Sequence, residues 1–371
     1  MDDEVRVTGL DPVPHRASEG HRRGRRSSYA HPRREGGGGS DASGPTYAAL
    51  DLGTNNCRLL VARATPDSFR VVDAFSRIIR LGEGVTTSGR LSEAAIARAV
   101  EALRVCRNKI RNRGVTRTRL IATEACRAAE NGHEFLARVR HEVGIELEIV
   151  DRETEARLAA TGCTPLIDPS SQGVILFDIG GGSSELVRLG RGVATAAGPP
   201  HPEVEAWVSL PMGVVTLAER HGGIAVTRDS FQAMVDEVAT FVDRFAAQHG
   251  GRLEGMHLLG TSGTVTTIAG VYLELPRYER RRVDGCWMSD TQVSGVIERL
   301  LTMSYQDRVA NPCIGSERAD LVLAGCAILE AIRLAFPCQR LRVADRGLRE
   351  GMLVQMMRED GVWDRAEASA K

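Results

Sequence analysis

Lysine is almost missing from this chain: Lys109 and Lys371 are the only lysines among its 48 cationic side chains, and the rest are arginine. A Walker-type phosphate loop, which needs Gly-Lys-Ser/Thr, is therefore excluded, and any phosphate clamp must use the planar guanidinium fork. Aromatic residues make up only 4%, too few to supply the stacking platforms of a single-strand binder. The net charge is zero, whereas a dedicated nucleic-acid binder carries an excess of cation; no nucleic-acid partner is expected. No apolar run approaches bilayer-spanning length, and the chain opens on the acidic Met1-Asp2-Asp3-Glu4 instead of a basic signal head. A cytoplasmic protein without a membrane partner is the expectation. The eight cysteines are scattered, with no Cys-x-x-Cys pair and no histidine at zinc-finger spacing, so free thiols are expected in place of a disulfide framework or a zinc site.

At 371 residues, 42% of them apolar, the chain can fill more than one hydrophobic core, and two domains are expected. Residues 1–45 mix Arg, His, Gly and Ser without hydrophobic period, and read either as a basic arm for an anionic partner or as a plain disordered extension. From Tyr47 the pattern changes. Tyr47 to Arg63 reads as strand, polar turn and strand; Ser92 stands where a helix N-cap belongs, ahead of Ile96, Val100, Leu103 and Ile110. A strand at Arg119–Ala122, a helix near Phe135–Val143 and a strand at Ile145–Val150 follow. The second half repeats the theme: strand, glycine turn and strand over Gly173–Gly190, a helix around Phe231–Phe245, a strand-turn-helix from Met256 to Gly270, a helix around Arg318–Ala335, and a last strand and helix from Leu341 to Met357. Strands alternating with helices indicate an α/β protein.

Laying Asp51 over Asp178, an offset of 178 minus 51 or 127, also lays Gly53 over Gly180, Leu59 over Leu186 and Leu60 over Val187. Self-similarity at one offset is the trace of duplicated units. Each Asp-led turn carries glycine or small polar residues, which let backbone N–H groups converge on an anion. Ordinary β-hairpins also favour Asp, Asn and Gly, so a single such turn would decide nothing; two in register point to phosphate. Neither has the Gly-x-Gly-x-x-Gly that opens a Rossmann helix.

Aspartate followed by such turns in two related halves resembles the actin, Hsp70 and sugar-kinase superfamily. The segments DLGTNNCR (51–58), ATEACRAAENG (122–132), DRETEARL (151–158), FDIGGGSSELV (177–187), SLPMGVVTLAE (209–219), LGTSGTVTT (259–267) and DRGLREGML (345–353) together resemble the exopolyphosphatase and guanosine pentaphosphate phosphohydrolase family, from about Tyr47 to about Arg358. The resemblance implies an α/β fold of two ribonuclease-H-like domains flanking a central cleft: residues 46–150 completed by 345–365, and residues 151–344. Longer family members carry further C-terminal helical domains, and this chain resembles the short form.

The resemblance also implies roles. Glu155, at the start of a helix led in by Asp151, is the general base that takes a proton from the attacking water; on position alone Glu153 is equally eligible, and either could be a surface acid favoured by the helix dipole. It is expected to project from a domain edge. Asp178 and Glu185 would hold a divalent ion, Mg²⁺ being suited to hard carboxylate oxygens. Phosphoryl oxygens would be cradled by Asp51, Thr54, Asn55, Asn56 and Arg58 on one wall and by Gly180, Gly181, Gly182 and Ser183 on the other. Arg127 and Arg318 are further phosphate candidates, with a surface ion pair as the alternative for each. The function implied is hydrolysis of terminal phosphate from inorganic polyphosphate, from the 5′ end of guanosine pentaphosphate, or both. A kinase or ATP-driven switch of the same fold is one alternative, and a non-catalytic sensor of such molecules is the other. A homodimer is an open expectation.

Overall fold

The computed structural model describes residues 44–191 and 198–363. The arginine-rich arm expected over residues 1–45 lies outside the described residues but for its last two. Two mixed sheets organise the rest. The first contains β1 (Thr46–Leu52), β2 (Asn56–Ala64), β3 (Phe69–Ile78), β4 (Arg117–Ala122) and β5 (Glu148–Ile149), in spatial order β3-β2-β1-β4-β5. The second contains β6 (Gly173–Ile179), β7 (Ser184–Leu189), β8 (Val204–Leu210), β9 (Met256–Thr261), β10 (Trp287–Ser289) and β11 (Arg340–Val343), in order β10-β11-β9-β6-β7-β8. In each, three antiparallel strands are followed across the sheet by two parallel ones, β1-β4-β5 and β6-β9-β11. This is the ribonuclease-H-like arrangement, present twice.

The offset of 127 survives at the level of register. Asp51 pairs with Arg58 across β1 and β2, and Asp178 pairs with Glu185 across β6 and β7. β1 and β6 are buried along almost their whole length because both faces are covered, which is why they read as near-continuous apolar runs. The strands that sequence reasoning did not anticipate, β3 and β8, lie further out on the antiparallel side and are only half-buried, so polar and apolar residues mix along them. The strand expected at Ile145–Val150 shrinks to two residues, and the helix expected from Arg318 begins at Val322, leaving Arg318 in the turn before it. Helix starts follow the capping chemistry: the Ala95 N–H donates to Ser92 Oγ at 3.2 Å, and the Thr154 N–H to Asp151 Oδ1 at 2.7 Å.

Helix Leu348–Glu359 follows a strand of the second sheet yet packs on the first, where Leu348, Met352 and Met356 join Tyr47, Ala49 and Leu60 in one core. It crosses helix Arg152–Cys163 with backbones in contact. A Cβ on Gly162 would lie 1.9 Å from the Gly347 carbonyl oxygen, and one on Gly351 would lie 1.9 Å from that of Leu158. Elsewhere the two layers are tied by Arg80, whose guanidinium donates to both oxygens of Asp320 at 2.9 and 3.0 Å, and by the Gly84 N–H on Glu219 at 2.9 Å. All eight cysteines are free, and no helix among the described residues is long and apolar enough to cross a membrane.

Candidate active site

The two Asp-led turns are built alike. Gly53 N–H donates to the Asn56 carbonyl at 2.9 Å, and Gly180 N–H to the Ser183 carbonyl at 3.0 Å. The other carbonyls of each turn are engaged from behind. Thr54 and Asn55 accept from the amides of Gly82, Ile79 and Arg80; Gly180 and Gly181 accept from Val214 and Val215 at the head of helix Val214–His221. In a trans peptide the C=O and the following N–H point to opposite sides, so the amides of Asn55 and Asn56, and of Gly181 and Gly182, face away from those anchors. That is the geometry of an anion cradle. Asn55 and Asn56 each also leave a buried side-chain oxygen without a partner, a cost that a bound ligand would recover.

The resemblance implies loops facing across a cleft; here the loops touch. A Cβ on Gly181 would sit 2.9 Å from Thr54 Cβ, and one on Gly182 would sit 2.8 Å from Thr54 Oγ1. Glycine is needed at both positions because the neighbouring turn fills the space where a side chain would go.

Beside this junction lie four acids. Burial pushes Asp178 up to about 6 and Glu185 up to about 7, with the charge of Asp51 adding to the first and that of Asp178 to the second. Asp51 is raised by burial against the pull of Arg58, and Glu155 is raised well above the usual range by burial and then by the charge of Glu185. Arg58 opposes the shift at both aspartates, so it lies in the field of both turns. Glu185 is buried and accepts from Ser183 Oγ at 2.8 Å and Ser209 Oγ at 2.9 Å, which leaves its second oxygen for other work. The Ser262 hydroxyl favours the charged form of Asp178. Ser262 has a φ of 81°, a left-handed conformation uncommon for a side-chain-bearing residue, at the head of helix Ser262–Tyr272.

Glu155 does not project from an edge. Its side chain is 14% exposed and meets Arg127 Nη2 at 3.1 Å, because its helix starts against helix Glu124–Ala128 of the first layer. Glu153, its rival on position alone, is half-exposed and pairs with Arg157 one turn along. Arg127 is held by protein acceptors: the Glu124 carboxylate at 3.0 and 2.6 Å, Glu155, and the Val150 carbonyl at 2.6 Å. Arg318 donates to Thr267 Oγ1 at 3.3 Å, and its guanidinium carbon and Arg58 Nη2 lie 3.8 and 4.0 Å from where a Gly263 Cβ would be, so these two arginines approach one another. Met212 and Gly213 back onto the second turn, which assigns that motif to packing. A cavity of about 640 Å³ under Arg117, Arg119 and Glu148 shares no residue with this cluster. Sequence reasoning missed Glu124, Arg152, Ser209 and Ser262; the usable signal for Glu124 was its i,i+3 spacing from Arg127 on a short helix.

Comparison with known proteins gives the chain's relatives. Over 325 residues the chain is 27% identical to a protein of Photobacterium profundum named guanosine-5′-triphosphate,3′-diphosphate pyrophosphatase, covering 84% of this chain and 59% of that one. A protein of the same name from Aeromonas salmonicida is 28% identical over 313 residues, covering 84% and 60%. The chain thus spans about three fifths of the length of these curated relatives. Among solved structures, the Aquifex aeolicus Ppx/GppA family member superposes with a TM-score of 0.70 at 27% identity, covering 85% of this chain and 98% of that one. An exopolyphosphatase from Cytophaga hutchinsonii gives a TM-score of 0.76 at 23% identity, covering 85% and 98%, and supports the fold alone. The profile of the Ppx/GppA phosphatase family matches residues 60–360, and the chain belongs to that family.

Proposed function

We propose that this protein hydrolyses the terminal phosphoanhydride of inorganic polyphosphate, of guanosine pentaphosphate, or of both, with Glu155 as general base. The observation that carries the reading is the placement of Glu155 between Arg127 and the Asp178–Glu185 pair, beside two amide cradles. An attacking water gives one proton to the Glu155 carboxylate as its oxygen bonds to the terminal phosphorus. The bridging P–O bond breaks, its electrons stay with the shortened chain, and orthophosphate leaves. The raised affinity of Glu155 for a proton suits it to this work near neutral pH. Thr54, Asn55, Asn56 and Arg58, led in by Asp51, grip oxygens from one wall, and Gly180 to Ser183 from the other, with Arg318 closing the far side.

The donor set fits a divalent ion. Four acids face one another at a cost in repulsion that a cation would offset, and Asp178 and Glu185 offer hard oxygens. Among the described residues no three His, Cys, Asp or Glu side chains form a cation cage. Mg²⁺ does not need one, since it is typically held by one or two carboxylates together with substrate phosphate and water. When bound it would neutralise charge on the phosphoryl oxygens. The deciding experiment is a colorimetric orthophosphate assay with and without Mg²⁺, run on polyphosphates of several lengths and on guanosine pentaphosphate without ATP. Phosphate release from either substrate supports the proposal, and its dependence on an added acceptor would turn the reading to a kinase.

A further inference from the structure

Glu124 is held by two arginines beside the glycine turn of the second sheet. Its carboxylate takes two hydrogen bonds from Arg127, Nε at 3.0 Å and Nη2 at 2.6 Å, both on Oε2. Arg152 Nη2 adds contacts to Oε1 at 2.9 Å and Oε2 at 3.2 Å. Its stem lies over the glycine turn, with Cγ 3.1 Å from where a Gly182 Cβ would be. The nitrogen that holds it, Arg127 Nη2, also holds the base Glu155. Two guanidinium groups on one carboxylate, Arg127 through Nε and Nη2 and Arg152 through Nη2 alone, at the lip of an amide cradle and one atom from the base, form an anion site with its anion supplied by the protein.

We infer that Arg152 extends the phosphate-binding role expected of Arg127 into a phosphoryl subsite, which Glu124 fills until substrate displaces it. The inference rests on the phosphoanhydride reading above and deepens it by naming where a phosphoryl group of the chain is held. Charge supports the exchange. The two arginines balance Glu124 and Glu155, so the departure of Glu124 reduces the excess of anion that an entering phosphoryl group creates. A phosphoryl group with three oxygens also gives the two guanidinium groups separate acceptors, where Glu124 offers them two shared oxygens. Arg152 is 44% exposed while Arg127 is 17% exposed, so the subsite runs from the base towards solvent, the direction in which a chain of phosphates would extend.

Because Glu124 is tethered, it competes at a fixed and high effective concentration. Free orthophosphate meets that competition with one group, whereas a chain brings neighbouring phosphoryl groups that hold on elsewhere in the cleft. Glu124 thus favours chains over the orthophosphate product, and Arg152 becomes a binding residue.

The test is calorimetric titration of the full chain and of the variants Glu124→Gln and Arg152→Gln with orthophosphate and with methylenebisphosphonate, whose P–C–P link is not hydrolysed. Glu124→Gln is expected to tighten both ligands by about tenfold, and Arg152→Gln to weaken the bisphosphonate by about tenfold. Unchanged or weaker binding in Glu124→Gln would make Glu124 a structural prop for Arg127 and overturn the proposal, as would unchanged binding in Arg152→Gln, a half-exposed change that leaves folding intact. The readout is binding, so the subsite can stand if phosphate release fails, and can fall if phosphate release succeeds.

Discussion

The Asp51 turn and the Asp178 turn share a backbone and differ in chemistry. Each joins the first two strands of its sheet, is closed by the same glycine-to-third-residue hydrogen bond, and turns its amides away from an anchoring element. At the paired position one carries Arg58 and the other Glu185. The backbone therefore supplies the anion cradle twice, and one side chain per turn sets its sign. A duplicated fold can divide labour in this way because strand register fixes where that side chain points, whatever its charge.

The largest expected effect tests the residue outside both turns. Glu155→Gln should lower kcat for phosphate release by about 10³-fold while KM changes little, since both cradles stay intact. Near-normal turnover would remove Glu155 as the base. Next in size is Glu185→Gln, expected to raise the Mg²⁺ concentration for half-maximal rate by about tenfold or more. Arg58→Gln should instead raise KM by about tenfold and leave the Mg²⁺ requirement unmoved. If the two variants shift the same parameter, the division between a gripping wall and a metal wall is wrong.

A smaller effect concerns pH. Asp178 and Glu185 bind protons more tightly folded than unfolded, rising from 3.8 to about 6 and from 4.5 to about 7. Their contribution to stability is full below their unfolded values and is lost as pH rises through about 6 and 7. In chelator, the share of thermal stability due to these acids should fall from about pH 5 to about pH 8, and Mg²⁺ should restore it only at the upper end. A Mg²⁺ effect equal at both ends would place the ion elsewhere. The smallest difference compares paired glycines. A Cβ on Gly180 would sit 2.8 Å from the Ser183 carbonyl, while one on Gly53 would find nothing nearer than 3.5 Å. Chemical denaturation should show Gly180→Ala costing about 1–3 kcal/mol and Gly53→Ala less than about 1 kcal/mol.

What the sequence disclosed follows from local physics. β1 and β6 announce themselves because burial on both faces makes them apolar throughout, and a fixed offset brings their aspartates into register. Ser92 and Asp151 are legible as caps because capping is a contact three residues long. β3 and β8 are not, since a half-buried strand mixes its residues. Within the site, the Asp178–Glu185 pair spans one hairpin, but Arg127 reaches Glu155 over 28 residues and between two layers. Such a pairing is decided by how the layers pack, and no spacing rule encodes it. Glu155, expected as a base at a domain edge, is covered for the same reason: the element that meets it is distant in sequence.

The helix crossing at Gly162 and Gly351 bears on how this molecule could open. Backbone lies against backbone at these two glycines, and Leu158 packs with Leu348 and Met352 beside them, so the crossing fixes the separation of the two helices. Any swing of one layer against the other would turn about that crossing, and the point lies close to the chemistry, for a Cβ on Gly347 would be 4.0 Å from Asp178 Oδ2. Asp178 would sit near the fulcrum of such a swing and travel little. The Arg80–Asp320 tie, behind the Asp51 turn, is a second link between the layers that such a swing would have to break.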